Sequence, residues 1–255
     1  MIDIHSHILI DNNGGAKHTT ESLSVARKAH EQGIDKIIAT PNLKADSQRG
    51  SKIDLVKQVH ELNKRLMDEG VPVTVLPGQK MDINQDILAL LNKGYVLPLN
   101  ATSDFIFIEL PTDHMPVHLR NLLFDIQVHG YQIIISQPET NRLFMENSDL
   151  LYEMVKNGAF IQISASSIVG KNGRKVQKFT QQLIEANLVH FVASSATENS
   201  GVYLEEAYAK LEKQFGLEKV YSFIENTQAI IDNASIFIEE PFRIQKRKSV
   251  LGLLK

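Results

Sequence analysis

Glu21-Ser22-Leu23-Ser24-Val25-Ala26-Arg27-Lys28-Ala29-His30-Glu31-Gln32-Gly33-Ile34-Asp35-Lys36-Ile37-Ile38-Ala39-Thr40 sets the pattern that decides the fold. An amphipathic helix over residues 21–32 stops at Gly33, where a C′ glycine takes the left-handed conformation at little cost, and residues 36–40 read as a short buried strand. The same phrase of helix, glycine and strand recurs. Residues 53–69 end at Gly70 before 73–76, and 86–93 end at Gly94 before 105–109. Residues 119–129 end at Gly130 before 133–135, and 150–157 end at Gly158 before 160–163. A last crossover, 175–186, precedes 189–193. At the start, Ile2 and Ile4 alternate with Asp3 and His5 as in a strand. Seven strands joined by helical crossovers call for a parallel sheet, because parallel neighbours need a long connection. The expected fold is therefore α/β, a distorted seven-stranded β/α barrel of the TIM-like kind, with one domain over 1–240 and a tail over 241–255. An open doubly wound sheet is the alternative; no Gly-x-Gly-x-x-Gly stands after the first strand to favour it.

Composition narrows the function. The 255 residues are 43% hydrophobic and 22% charged, enough for one large core. Cysteine is absent, which rules out disulfides and thiolate metal sites and suits a reducing cytosol, so a cytoplasmic location is expected. No apolar run approaches a membrane span, and Met1 leads straight into a strand without a charged leader. A net charge of -3 with a pI near 6.3 speaks against a dedicated nucleic-acid binder.

In a barrel of this kind the working residues gather at the C-terminal ends of the strands. Those ends carry His5 and His7, Pro41-Asn42, Pro77-Gly78-Gln79-Lys80, Glu109-Leu110-Pro111, Ser136-Gln137-Pro138-Glu139 and Ser194-Ser195-Ala196-Thr197. The His5-x-His7 fork can put two imidazole nitrogens on one ion; read alone, it is equally a pair of polar residues where a strand meets its loop. Met1-Ile2-Asp3-Ile4-His5-Ser6-His7, Ile38-Ala39-Thr40-Pro41, Leu76-Pro77-Gly78-Gln79, Phe107-Ile108-Glu109 and Val189-His190-Phe191-Val192-Ala193-Ser194 carry a resemblance. In order and spacing, over nearly the whole chain, they resemble the bacterial phosphotyrosine phosphatases of the polymerase and histidinol phosphatase superfamily. Those are manganese-dependent enzymes encoded with capsule and exopolysaccharide genes.

The resemblance implies a three-metal cluster at the strand ends, and its ligand positions can be traced one at a time. His5, His7 and Glu109 stand where the family has ligands. Asn42 replaces the histidine of a Thr-Pro-His, Lys80 a metal-bridging glutamate, and Gln137 the histidine of an Ala-His-Pro-Glu-Arg. Ser195 and Thr197 replace the aspartate and histidine of a Ser-Asp-Ala-His, Thr140 replaces the arginine that holds the substrate phosphate, and Asn13-Gly14-Gly15 replaces an Asp-Asp-Gly turn. A hydrolytic metal site lowers the pKa of bound water toward about 7 and neutralises phosphoryl charge, and both effects require the cations. Of three family carboxylates at positions 80, 109 and 195, only Glu109 remains, and Lys80 adds a positive charge, so -3 becomes 0. A salt bridge from Lys80 to Glu109 in the space of the metals is the expectation.

Other readings stay open. Carboxylation of Lys80 would restore a bridging group; His5, His7 and Glu109 alone would hold a single, weakly bound ion; or these side chains only satisfy one another in a polar mouth. Lys80 with Arg142 or Arg49 would receive an anion, since an ammonium is a good partner for phosphate. Serine chemistry lacks its Gly-x-Ser-x-Gly elbow. His18, His30, His60, His114, His118, His129 and His190 read as surface, loop or core residues. The tail from Arg243 to Lys255 mixes basic and apolar residues, fitting either contact with an anionic membrane or packing of its apolar end on the barrel. The expectation is a phosphatase homologue, impaired or inactive, that binds the phosphorylated tail of a bacterial tyrosine kinase of polysaccharide synthesis. The competing expectation is a working phosphatase on a reduced metal site.

Overall fold

The structure, a computed structural model, describes residues 1–10, 15–43, 49–83, 87–197 and 200–245. Positions 13 and 14 of the early turn, the Arg49 side chain and the tail beyond Gln245 lie outside the described residues.

Eight strands form among the described residues: β1 (Ile2–Ser6), β2 (Lys36–Ala39), β3 (Thr74–Pro77), β4 (Lys80–Asp82), β5 (Phe105–Glu109), β6 (Gln132–Ser136), β7 (Phe160–Ser164) and β8 (Phe191–Ala193). The helices are α1 (Thr19–Glu31), α2 (Arg49–Asp68), α3 (Ile87–Asn92), α4 (Leu119–Val128), α5 (Arg142–Glu146), α6 (Asp149–Lys156), α7 (Ala165–Val169), α8 (Arg174–Glu185), α9 (Leu204–Phe215) and α10 (Leu217–Asp232). The five glycines expected to stop helices, at 33, 70, 94, 130 and 158, all have φ between +66° and +88°. After α8, where no glycine stands, Asn187 takes that conformation at φ 54°, a role its short polar side chain tolerates.

The expected seven-stranded barrel is corrected in one respect. The strands lie in two parallel sheets, β1-β2-β3 and β4-β5-β6-β7-β8, and the ladder is not continuous around them. Gly78 and Gln79 interrupt the third strand, leaving β4 as an eighth. A Cβ on Gly78 would stand 2.8 Å from Ile38 Cγ2 and 3.1 Å from Leu99 Cδ2, so the chain turns here because it has no side chain to place. Isolated parallel bridges join the sheets at two points, Ser6 with Ala196 and Asn42 with Lys80. The first stands at the end of β1 and just after β8, and the second joins the loop after β2 to the start of β4. The walls are apolar: Ile4, Ile38, Phe105, Phe107, Ile134 and Phe191 are fully buried in one cluster, and a larger cluster packs strands against helices. Fully burying a side chain of this kind contributes about 1.5–3 kcal/mol. Polar residues buried among them, Asp3, His5, Lys80, Glu139 and Gln162, need a local reason.

Candidate functional site

Backbone pairing assembles the site. Ser195 N–H donates to the His5 carbonyl and His7 N–H to that of Ala196, both at 2.9 Å; Lys80 N–H donates to Pro41 O and Leu43 N–H to Lys80 O. Gln137 N–H donates to Gln162 O at 2.9 Å, and Thr140 closes back on Gln137 O through its amide and hydroxyl. His5, His7, Asn42, Lys80, Glu109, Gln137, Thr140 and Ser195 therefore stand along one rim. Arg142 is paired with Glu146 at 2.7 Å, an exposed helical pair, and no contact brings it to Lys80. Thr197 bonds to Ser200 through its amide and hydroxyl.

At the centre of the rim Lys80 Nζ lies 2.5 Å from Glu109 Oε2, with the lysine side chain 6% and the glutamate 40% exposed. That is the pairing the charges predicted. Asp82, on the same short strand, was missed: burial and Glu109 raise its pKa while Lys80 lowers it. Glu109, Lys80 and Asp82 together sum to -1 rather than 0. Asp82 shows in the sequence as a charge two residues after Lys80, but no family motif marks it.

His5 is fully buried and its ring lies 5.3 Å from that of His7, centroid to centroid, and edge-on to Phe107. Burial first, then the Lys80 ammonium and His7, hold its pKa well below the ordinary imidazole value, so it is neutral. Gln162 fixes its tautomer. The Gln162 amide nitrogen donates to Ile163 O at 2.8 Å, which leaves the amide oxygen to accept from His5 Nδ1–H at 3.3 Å. Ser195 Oγ, 3.1 Å from the same nitrogen, accordingly faces a proton and not a base. Serine nucleophile chemistry thus finds no base in His5. The other nitrogen, Nε2, keeps a buried lone pair with no hydrogen-bond partner among the described residues. Gln162 is legible in sequence only as the one polar residue in Phe160-Ile161-Gln162-Ile163.

Two carboxyls support the rim from behind. Asp3 accepts from the Ser194 amide at 2.9 Å and from the Ser194 hydroxyl, while burial pushes its pKa up to about 6. Glu139 accepts from Ser164 N–H at 2.9 Å and Ser167 Oγ at 2.8 Å, and burial raises it to about 7. Two rim residues have unusual backbone: Gln137 has φ 45° and Ser195 φ 54°. Non-glycine residues hold such angles only when their surroundings impose them, and they concentrate at functional sites.

A cluster of divalent ions does not fit this donor set. The Glu109 carboxylate is neutralised by an ammonium in contact with it, and Asn42, Gln137, Ser195 and Thr197 offer neutral oxygens that suit iron or zinc less well than imidazole and carboxylate. Among the described residues no group of three or more His, Asp or Glu is placed to hold a metal ion.

Two parallel sheets carry their polar groups at one rim, around a His-x-His at the end of the first strand, which makes this an α/β protein with its candidate site at the strand ends. Residues 1–232 match the family described as capsular polysaccharide synthesis, CpsB/CapC, and the chain belongs to that family. It is 40% identical over 250 residues to the tyrosine-protein phosphatase YwqE of Bacillus subtilis (strain 168), covering 97% of this chain and 98% of that one. It is 30% identical to the putative tyrosine-protein phosphatase CapC of Staphylococcus aureus, over the full length of both. A crystal structure from work on YwqE of Bacillus subtilis and CpsB of Streptococcus pneumoniae, described there as unique metal-dependent tyrosine phosphatases, matches with a TM-score of 0.92 at 39% identity, covering 96% of this chain and all of that one.

Proposed function

We propose that this chain is a CpsB/CapC family member in which phosphatase catalysis is impaired or absent and which binds the phosphorylated, tyrosine-rich tail of a polysaccharide-synthesis kinase in a cytoplasmic setting. The Lys80–Glu109 ion pair carries the reading. Where the family holds cations against a phosphoryl group, this chain holds one fixed ammonium. Phosphate monoester hydrolysis is among the slowest uncatalysed reactions, with enzymes supplying up to about 10²¹-fold, and a single ammonium cannot activate water as a metal does. It can receive an anion. Glu109 is the more exposed partner, so an arriving phosphate exchanges with a solvated carboxylate.

The test has two arms: turnover of an aryl phosphate with manganese supplied, and titration with a phosphotyrosine peptide. Absent turnover with binding that Lys80→Met abolishes is the expected result. Manganese-dependent turnover, or no binding at millimolar peptide, overturns the proposal.

The second reading, a working phosphatase on a smaller site, is favoured by one observation. The tautomer of His5 is the one a metal ligand needs, with its Nε2 lone pair buried and unpartnered among the described residues. The same aryl phosphate assay decides between the two.

A further inference from the structure

Helices α4 and α6 enclose a groove of about 790 Å³ on the outer, helical side of the fold. Met115, Val117, Leu123, Phe124, Leu150 and Met154 line it, and Val117 and Phe124 are 92% and 63% exposed. Contiguous apolar surface of this kind on a water-soluble fold marks a place that something covers.

The path of the chain after α10 identifies the occupant. Phe237 N–H donates to Asn226 Oδ1 of α10 at 2.9 Å. Phe242 N–H then donates to Ala186 O, at the end of α8, at 3.0 Å. Arg243 next reaches α6, pairing with Asp149 at 3.1 Å and with Glu153, and its guanidinium lies 4.4 Å from the centre of the Tyr152 ring. Three successive anchors thus carry the chain from α10 past α8 to α6. Glu153 lines the groove, and its other oxygen faces Arg120 of α4 at 3.7 Å. The chain has therefore arrived at the groove's edge two residues before Gln245. The remaining sequence is Lys246-Arg247-Lys248-Ser249-Val250-Leu251-Gly252-Leu253-Leu254-Lys255. Ten residues reach at most about 35 Å when extended, against a helix diameter of about 10 Å, so the groove is within range. The run from Val250 to Leu254 also has the apolar chemistry the groove requires.

We propose that the groove between α4 and α6 is the docking site of the chain's own apolar segment, residues 250–254, delivered there by Arg243 on Glu153. A segment seated in this groove is withdrawn from membranes and from other copies of the chain. Occupancy by either of those is the rival outcome.

Because the chain has no cysteine, introduced thiols stand alone. Phe124→Cys combined in turn with Leu251→Cys, Leu253→Cys and Leu254→Cys, treated with a short bis-maleimide, is expected to give an intramolecular cross-link in at least one pair. Met67→Cys on α2, at a position 74% exposed, combined with the same tail thiols, is expected to give none. Cross-linking that does not discriminate between Phe124→Cys and Met67→Cys overturns the proposal, and so do covalent dimers from the Phe124→Cys pairs. Loss of the cross-link on adding phosphatidylserine vesicles, with the protein floating alongside them, also overturns it, in favour of a membrane. As a second readout, Leu253→Asp with Leu254→Asp in the full chain is expected to raise the fluorescence of an added hydrophobic dye; unchanged fluorescence counts against docking.

Discussion

Lys80 is buried and its partner Glu109 is not, and this asymmetry sets what each substitution costs. Glu109→Gln leaves an ammonium without its carboxylate in a mostly closed space; because Glu109 is 40% exposed, the penalty falls below that of a fully buried broken pair, at about 2 kcal/mol. Lys80→Met leaves a carboxylate that water can solvate, so its loss is smaller. Urea midpoints of the two variants check the order, and an equal loss contradicts it. His190 supplies a second test away from the rim. Its Nδ1 accepts from Ile161 N–H at 3.1 Å, and burial, with help from Lys219, lowers its pKa from 6.5 to about 3. A depressed folded-state pKa contributes stability above the unfolded value and loses it as pH falls, here between 6.5 and about 3. Between pH 7 and 5 the loss is about 2 kcal/mol. His190→Asn, which keeps an acceptor for the Ile161 amide but does not titrate, is expected to lose less stability over that interval in urea melts at the two pH values. An identical loss excludes His190 as the source. Among site residues the Lys80–Glu109 pair was legible once the resemblance had put positions 80 and 109 in one site, where their opposite charges pair. Gln162 and Asp3 were not, because their roles depend on which strands become neighbours.

At the level of elements, the turns after β6 and β8 hold non-glycine residues at positive φ. Gln137 has φ 45° and its side chain makes no described hydrogen bond. Gln137→Gly is therefore expected to stabilise the fold, by up to about 1 kcal/mol, through relief of the left-handed penalty. A fall in melting temperature contradicts this. Gly78→Ala works in the other direction. Its Cβ collides with Ile38 and Leu99 inside the core, and overpacking there costs about 1–3 kcal/mol, again read by thermal or urea melts. The helix-stopping glycines made the crossovers legible in sequence, since a left-handed C′ position has few occupants. The break between β3 and β4 was less so, because Lys80-Met81-Asp82 is too short and too charged to read as a strand. Helix α9 packs on α7 and α10, and α10 on β1 and β8, with no strand after them among the described residues, so a pattern built on helix-to-strand crossovers passes over them.

For the molecule as a whole, the proposed reading is that the fold of the CpsB/CapC family persists on a changed set of metal donors. On that reading Gln162, 3.3 Å from His5 Nδ1, and the positive φ angles at Gln137 and Ser195 are features that side chains restored at the rim would use. Restoring the side chains alone, with Asn42→His, Lys80→Glu, Gln137→His, Ser195→Asp and Thr197→His together, is expected to restore manganese uptake without rearranging the strands. The unchanged chain offers the direct comparison. After dialysis against manganese and removal of loosely held ions, elemental analysis is predicted to find no ion, or at most one weakly retained, on this chain and several on the restored variant. Two or more tightly held ions on the unchanged chain, beside His5, His7 and Glu109, would contradict the loss of the metal centre.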